Sequence, residues 1–283
     1  MFNKTGLISK HAKTFSWASF FLPDKIFNNC SSLYDFCRTL DDIADEPTSL
    51  KIKKQKFLIF KDDFIKKNFS NIIIKNIWKL IHDDKKSEKI LLDLFDGVES
   101  DLVDKVEILS ENELITYSYQ VAGTVGLMMS KILGVTEKDS LIGAINLGIG
   151  MQLTNISRDI KEDKKRNRFY IKNDFEEIKK ILLIADQFYN SSFHAIKSIP
   201  LSSRFSILVA RRIYRKIGHN ILKKRNIENY LKAGRIYVSN FDKILQTCYS
   251  IYDFFKLQFF KNDMKKINII PILEKKINLD ERI

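Results

Sequence analysis

Turn-forming residues are scarce in this chain, with ten glycines and four prolines among 283 residues. A β-sandwich needs many tight turns and a doubly wound α/β protein many short loops, and both draw heavily on these two residues. Long helices with few connections need neither, so an all-α architecture is the expectation. Apolar side chains make up 45% of the sequence, enough to bury a sizeable core. They recur at helical spacing over roughly 26–46, 50–82, 86–105, 111–134, 137–164, 174–198 and 202–232. Pro23 and Pro47 punctuate the first of these segments, Asp24 is placed to cap its start, and Ser110 with Glu113 forms a capping box before the fourth. No Gly/Ser linker, proline-rich stretch or solenoid-period repeat divides the chain. The reading is therefore one domain over 1–283, with 263–283 as a loose basic tail that is either frayed or laid on a membrane surface.

Lysine plus arginine outnumber aspartate plus glutamate by 48 to 35, a net charge of +13. That excess suits nucleic acid, an anionic membrane surface or a phosphorylated substrate, and a lysine-rich compositional habit produces it equally well. The 21 phenylalanines do not favour nucleic acid, because they fall at helical spacing, as in Phe57, Phe60 and Phe64, and read as core. Three cysteines with no CxxC pair give no disulfide framework, which points to a reducing cytoplasm. The apolar run Phe15 to Leu22 is too short to span a bilayer, and no later stretch reaches the roughly 18 uncharged residues required. Any membrane contact is then peripheral, at the inner face. Sequence patterning leaves the oligomeric state open.

Two acidic clusters carry the chemistry. Arg38-Thr-Leu-Asp41-Asp42-Ile-Ala-Asp45-Glu46 closes the first long helix, with Asp41 and Asp45 one turn apart on one face. Like charges at that spacing cost an isolated helix roughly 0.2–0.5 kcal/mol, and acids near a C-terminus oppose the helix dipole. Stability alone would avoid this arrangement. In the second cluster Gln152, Asn155, Asp159 and Asp163 form an oxygen-bearing stripe that emerges from the apolar run Leu141–Leu153, with Arg158 beside Asp159. Oxygen-only donors on two faces suit Mg²⁺, which completes its shell with water and substrate phosphate, while arginines bind the remaining phosphate oxygens. The competing reading is two solvated, salt-bridged helix ends, and two such clusters with arginines weigh against it. HExxH, Walker and GxSxG motifs are absent, and Gly148-Ile-Gly150 reads as close helix packing rather than a dinucleotide loop. Of the four histidines only His11, followed by Lys13 and Thr14, stands at a suggestive place.

These motifs resemble those of the squalene/phytoene synthase family. Arg38-xx-Asp41-Asp42-xx-Asp45 and Asn155-xx-Arg158-Asp159-xx-Glu162-Asp163 are similar to its two aspartate-rich motifs. Tyr117-Ser-Tyr119-Gln-Val-Ala122-Gly123-Thr-Val-Gly126 is similar to the Tyr-rich helix between them, and His11-Ala-Lys13-Thr14-Phe15 through Leu22-Pro23, then Tyr34 and Cys37, to the N-terminal segment. The resemblance implies an isoprenoid-synthase-type helical bundle around a central apolar cavity. It implies Mg²⁺, with Mn²⁺ as a substitute, held by Asp41, Asp45, Asn155, Asp159 and Asp163. Diphosphate contacts would come from His11, Lys13, Thr14, Tyr34, Arg38, Arg158, Tyr230 and Arg235. Gln152 would line the substrate site and Tyr117 face the reacting cation. Phe15 and Ser19 would wall off the far end of the isoprenoid chain, where the small serine leaves room for a C20 substrate.

The implied activity is head-to-head condensation of two geranylgeranyl diphosphates, through a cyclopropyl diphosphate, to phytoene without NADPH. The alternatives are a farnesyl-using branch making squalene or dehydrosqualene, hopanoid-pathway relatives included, and, from a different class, a non-catalytic assembly subunit. The chain departs from the family at Asn167-Arg168-Phe-Tyr170-Ile-Lys172, where Gly-Arg-x-Tyr-Leu-Pro is common; asparagine tolerates the left-handed backbone that glycine would adopt there.

Overall fold

The computed structural model describes residues 13–259 and 267–283. It is built from helices α1 (Lys13–Ser19), α2 (Asp24–Asp45), α3 (Leu50–Ile65), α4 (Ile72–Ile81), α5 (Lys85–Ser100) and α6 (Glu111–Ser118). A π-helical turn, Tyr119–Gly123, then leads directly into α7 (Thr124–Ile132). After it come α8 (Lys138–Lys165), α9 (Phe175–Ser192), α10 (Leu201–Leu222), α11 (Ile227–Ala233), α12 (Asn240–Phe259) and the short α13 (Ile270–Leu273). The one sheet among the described residues is a two-residue parallel pairing, β1 (Val106–Glu107) with β2 (Arg168–Phe169).

Side-chain caps set many of the helix starts. Ser49, Asn71, Asp84 and Ser110 each accept from a backbone N–H in the following turn. Glu113 closes the predicted capping box one residue early, accepting from the N–H of Leu109 at 3.0 Å. At α2 Pro23 holds the cap position and Asp24 becomes the first helical residue, where its charge suits the dipole. The expected helix over 50–82 is two helices, because Lys67 turns left-handed (φ 54°) and Asn71 restarts the chain as α4. The segment over 202–232 likewise breaks at Arg225 (φ 67°), with Asn226 capping α11. That over 174–198 ends as α-helix at Ser192 and continues as a 3₁₀ turn, His194–Ser198.

Helix α8 runs through the core, with Ile145, Ile149, Leu153 and Ile156 buried. Its approach to α7 depends on glycine: a Cβ on Gly148 would sit 2.2 Å from the Ala122 carbonyl oxygen, and one on Gly126 2.4 Å from that of Ala144. The Gly148 reading as a packing residue therefore holds. Phe57, Phe60 and Phe64 are core, clustered with Phe36 and Phe95.

The last residues do not form a loose tail over 267–283. Ile269, Leu273, Ile277 and Leu279 are buried, and the Arg282 guanidinium donates to both Asp93 oxygens at 3.0 and 2.9 Å. Positions 263–266 of the expected tail lie outside the described residues. Among the described residues no helix is long and apolar enough to cross a membrane.

Candidate active site

A cavity of about 300 Å³ lies between α1, α2, α7, α8 and α10. Its walls are mainly small or aliphatic: Leu33, Val125, Met129, Gly148 and Ile207 are among them. The polar side chains of this lining include Tyr34 and Asp41 from α2 and Gln152 and Asn155 from α8. Spacings of seven (Tyr34, Asp41) and three (Gln152, Asn155) put each pair on one face of its helix. The structure thus brings residues of both acidic clusters to one cavity. Ser19 lines it too, as do Cys30 and Cys37, whose thiols burial pushes upward, Cys30 to about 12.

The acids divide into two kinds. Asp45 is engaged by Arg168 at 2.8 Å and by Arg166 at 3.4 Å, both from the turn that follows the second cluster. Asp159 is held by Arg158, Nε to Oδ1 at 2.7 Å, and by Arg235 at 3.2 Å. Among the described residues Asp41 and Asp163, by contrast, form no ion pair. Asp41 keeps accessible surface where it lines the cavity, but protein packs closely round it. Loss of hydration pushes its carboxyl up to about 7, with Asp45 and Asp101 adding repulsion and Arg38 opposing. Asp163 is pushed up to about 7 by the same loss, reinforced by Asp159 and offset by Arg168 and Arg166.

Among the described residues no three acids, imidazoles or thiols are drawn together tightly enough to hold a metal ion. The donor set nevertheless fits Mg²⁺. Among the described residues two carboxyls lack an ion-pair partner, and the Oδ1 of Asn155 is buried without a hydrogen-bond partner while its amide Nδ2 donates to Gln152. Hard oxygen donors of this kind, short of a full shell, are what Mg²⁺ accepts when phosphate supplies the remainder.

Other predicted site residues have different surroundings. Tyr117 does not line the cavity. Its ring stacks on Tyr170 with centroids 4.8 Å apart, and the two hydroxyls lie 2.8 Å from the two oxygens of Asp101. Tyr230 is buried, and its hydroxyl donates to the carbonyls of Ser157 and Arg158, tying α11 to the second cluster from behind. Arg38 pairs with Asp42, i to i+4, on the outer side of α2, and its Nε is buried without a hydrogen-bond partner. Lys13, Thr14 and Phe15 begin α1, but their side chains, and the whole of His11, lie outside what the structure describes.

Asp101, Arg168 and Tyr170 join the site without being expected there from the sequence. Asp101 accepts from both tyrosines and lies 4.0 Å from Arg168, which joins it to Asp45 and hence to the first cluster. Its carboxyl is raised by burial against the pull of Arg168. The stretch Asn167-Arg168-x-Tyr170 held the available signal, and Asn167 does take the left-handed backbone (φ 56°) expected of it. Asp101 follows the end of α5 with no periodic partner to mark it.

A helical bundle with an apolar cavity and two acid-bearing helices meeting at it defines the isoprenoid-synthase class. Within that class the chain belongs to the squalene/phytoene synthase family, which it matches over residues 8–177. The family consists of head-to-head prenyltransferases, and the chain is an enzyme of that type. A phytoene synthase of Cereibacter sphaeroides is 28% identical over 253 residues, 78% of this chain and 70% of that protein. A 15-cis-phytoene synthase of a Paracoccus species is 26% identical over 249 residues, 77% and 81% respectively. Among solved structures, a dehydrosqualene synthase in complex with ligand superposes with a TM-score of 0.69 at 25% identity, covering 87% of this chain and 93% of that one. The squalene synthase HpnC of Alicyclobacillus acidocaldarius shares the fold at 17% identity, with a TM-score of 0.64 over 79% of this chain and 92% of its own.

Proposed function

We propose that the chain condenses two molecules of geranylgeranyl diphosphate, through a cyclopropyl diphosphate, to phytoene, with Mg²⁺ (or Mn²⁺) and without NADPH. The observation that carries the reading is the shared lining of one apolar cavity by Asp41 of the first cluster and Gln152 and Asn155 of the second. Asp41, Asp45, Asn155, Asp159 and Asp163 would hold the metal. When bound, Mg²⁺ supplies charge neutralisation for the departing diphosphate. Arg158 and Arg235, now on Asp159, and Arg38 are forked donors within reach of the acids that such a leaving group must approach. Ionisation breaks the allylic C–O bond, the electron pair leaves on the diphosphate, the cation is attacked by the double bond of the second molecule, and loss of a proton closes the cyclopropane. Ionisation of the second diphosphate, rearrangement and loss of a second proton then give phytoene. Walls of Leu33, Val125, Met129 and Ile207 exclude water that would otherwise quench that cation. Tyr117, fixed by Asp101, acts from outside the cavity lining, where it steadies the acids through Asp101 and Arg168.

The curated relatives named as phytoene synthases and the small Ser19 side chain at the cavity wall favour the C20 substrate. The likeness to a dehydrosqualene synthase keeps a farnesyl-using enzyme as the second reading. Purified protein with Mg²⁺ and either C15 or C20 diphosphate, with and without NADPH, followed by hexane extraction and chromatography, separates the two. A C40 hydrocarbon from the C20 substrate alone is the expected result. A C30 hydrocarbon as the main product selects the second reading, and no product from either substrate refutes both.

A further inference from the structure

Helix α12 is patterned the wrong way round for a surface helix. Its buried positions include Lys243, Gln246, Ser250 and Asp253, while Phe241, Ile244, Ile251, Tyr252, Phe255 and Phe259 point outward. The exposures are large: 75% for Phe241, 62% for Tyr252 and 78% for Phe259. Soluble helices put the apolar stripe inward. Here the polar side is satisfied internally. Asp253 is gripped by Arg212, Nη2 to Oδ1 at 2.7 Å, Asp242 pairs with Lys216 at 3.0 Å, and the Ser250 hydroxyl donates to the Gln246 carbonyl. Both acids of the helix are thus turned toward α10 and neutralised, and none of the charged residues of α12 is exposed. A contiguous outward apolar face of this kind marks an interaction surface.

We infer that the outward face of α12 docks on an anionic lipid bilayer, lying in the interface with its aromatic side chains inserted. Charge selects the occupant. A second copy carrying the same +13 repels the first, whereas an anionic leaflet attracts it, and the sequence continues past α12 with Lys261, Lys265 and Lys266. An interfacial helix combines an apolar face with basic flanks and takes tyrosine at the water boundary. The position also suits the chemistry, a point that rests on the function proposed above. Helix α12 packs on α1 and α10, with Trp17 Nε1 donating to Thr247 at 3.0 Å, and those helices contribute Ser19, Ser206 and Ile207 to the cavity. A substrate and product of long hydrocarbon chains would be exchanged with lipid one helix away from where they react.

The native chain carries its own reporter. Cys248 is exposed on α12, whereas Cys30 is buried and the Cys37 thiol is held protonated by burial, so an environment-sensitive fluorophore can be placed at Cys248 alone. Its emission should shift to the blue on phosphatidylglycerol/phosphatidylethanolamine vesicles. A double variant, Tyr252→Glu with Phe255→Glu, should lose vesicle partitioning by at least about tenfold, because two charges replace inserted aromatic rings. Part of the wild-type binding should survive 1 M salt, since burial of apolar surface is not screened. The absence of a shift on vesicles overturns the assignment. So does wild-type binding that vanishes in 1 M salt and is indifferent to the double variant, or a blue emission present without lipid in a sedimenting dimer. Turnover of detergent-dispersed diphosphate, measured on the same preparations, should be equal in wild type and double variant. A wild type that binds vesicles but makes no prenyl product removes the proposed function and leaves the docking surface standing.

Discussion

The Arg282–Asp93 pair gives the sharpest stability prediction. Asp93 is almost fully buried, and its Oδ2 also accepts from the hydroxyl of fully buried Tyr119 at 2.9 Å, so the carboxylate is held by two side chains, Arg282 and Tyr119. Replacing Arg282 with alanine leaves a buried carboxylate with one neutral donor. Breaking a buried pair from one side costs about 3–5 kcal/mol. The Arg282 side chain keeps 16% of its surface exposed, which places the expected loss near the lower end, about 3 kcal/mol. For a chain of this size that corresponds to roughly 6–10 °C in melting temperature. The assay is urea unfolding followed by circular dichroism, on wild type, Arg282→Ala, Asp93→Asn and the double variant. Asp93→Asn keeps an acceptor for Tyr119 and removes the charge, so in the Arg282→Ala background it should restore most of the loss. A single Arg282→Ala variant within about 1 kcal/mol of wild type would refute the argument, since the pair would then lie outside the cooperative core.

Four further outcomes follow from the site. Asp41→Ala or Asp159→Ala should abolish product formation with the helical spectrum unchanged, and more than about a tenth of wild-type turnover in either would remove that residue from the metal set. The Asp41 and Asp163 carboxyls titrate in the folded state near 7, above the roughly 3.9 of an unfolded aspartate. The native state therefore holds more protons between these values, and metal-free stability should fall as pH rises from 5 to 8. Asp163→Asn should flatten that slope in thermal scans; an equally steep slope in the variant would contradict it. Ser19→Phe should shift competition between C20 and C15 diphosphates toward C15, and an unchanged ratio in active enzyme would take Ser19 out of the chain-length wall. Gly148→Ala should lower stability by about 1–2 kcal/mol, overpacking outweighing the helix-propensity gain; a raised melting temperature would show that α7 and α8 can separate there.

Much of this molecule can be read without coordinates where a local rule governs. The stripe Gln152–Asn155–Asp159–Asp163 needs only helical periodicity, and Gly148 only the rarity of glycine inside an apolar helix. Local rules do not reach Asp101, whose partners Tyr117, Tyr170 and Arg168 come from remote segments. Tyr230 fails differently. Its place behind the second cluster depends on the break at Arg225, and a continuous helix through 232 would have pointed it elsewhere. Helix α12 lies outside the helical segments expected from the sequence, although Phe241, Ile244, Ile251, Tyr252, Phe255 and Phe259 recur at helical spacing; that stripe faces outward while lysine, glutamine and aspartate face in. The basic charge of the tail suggests a loose end, while four buried side chains, Ile269, Leu273, Ile277 and Leu279, decide its packing.

The wide turn at Tyr119–Gly123 holds one residue more than an α-helical turn needs. Each residue of an α-helix advances the chain by about 100° around its axis, so a one-residue length change in ordinary helix would swing everything after it by that angle. Deleting one residue between 119 and 123 would instead let the turn close as α-helix, with the later residues near their present orientation. Gly126 would stay on the line along which α7 meets the Ala144 carbonyl. The change would fall on Val121 and Ala122, which line the cavity from within the turn. Single-residue length changes should consequently collect in this stretch during divergence, where the helices on either side cannot absorb them. A one-residue gap between Ser118 and Gly126 would mark a relative whose cavity wall is rebuilt while its α7–α8 contact is kept.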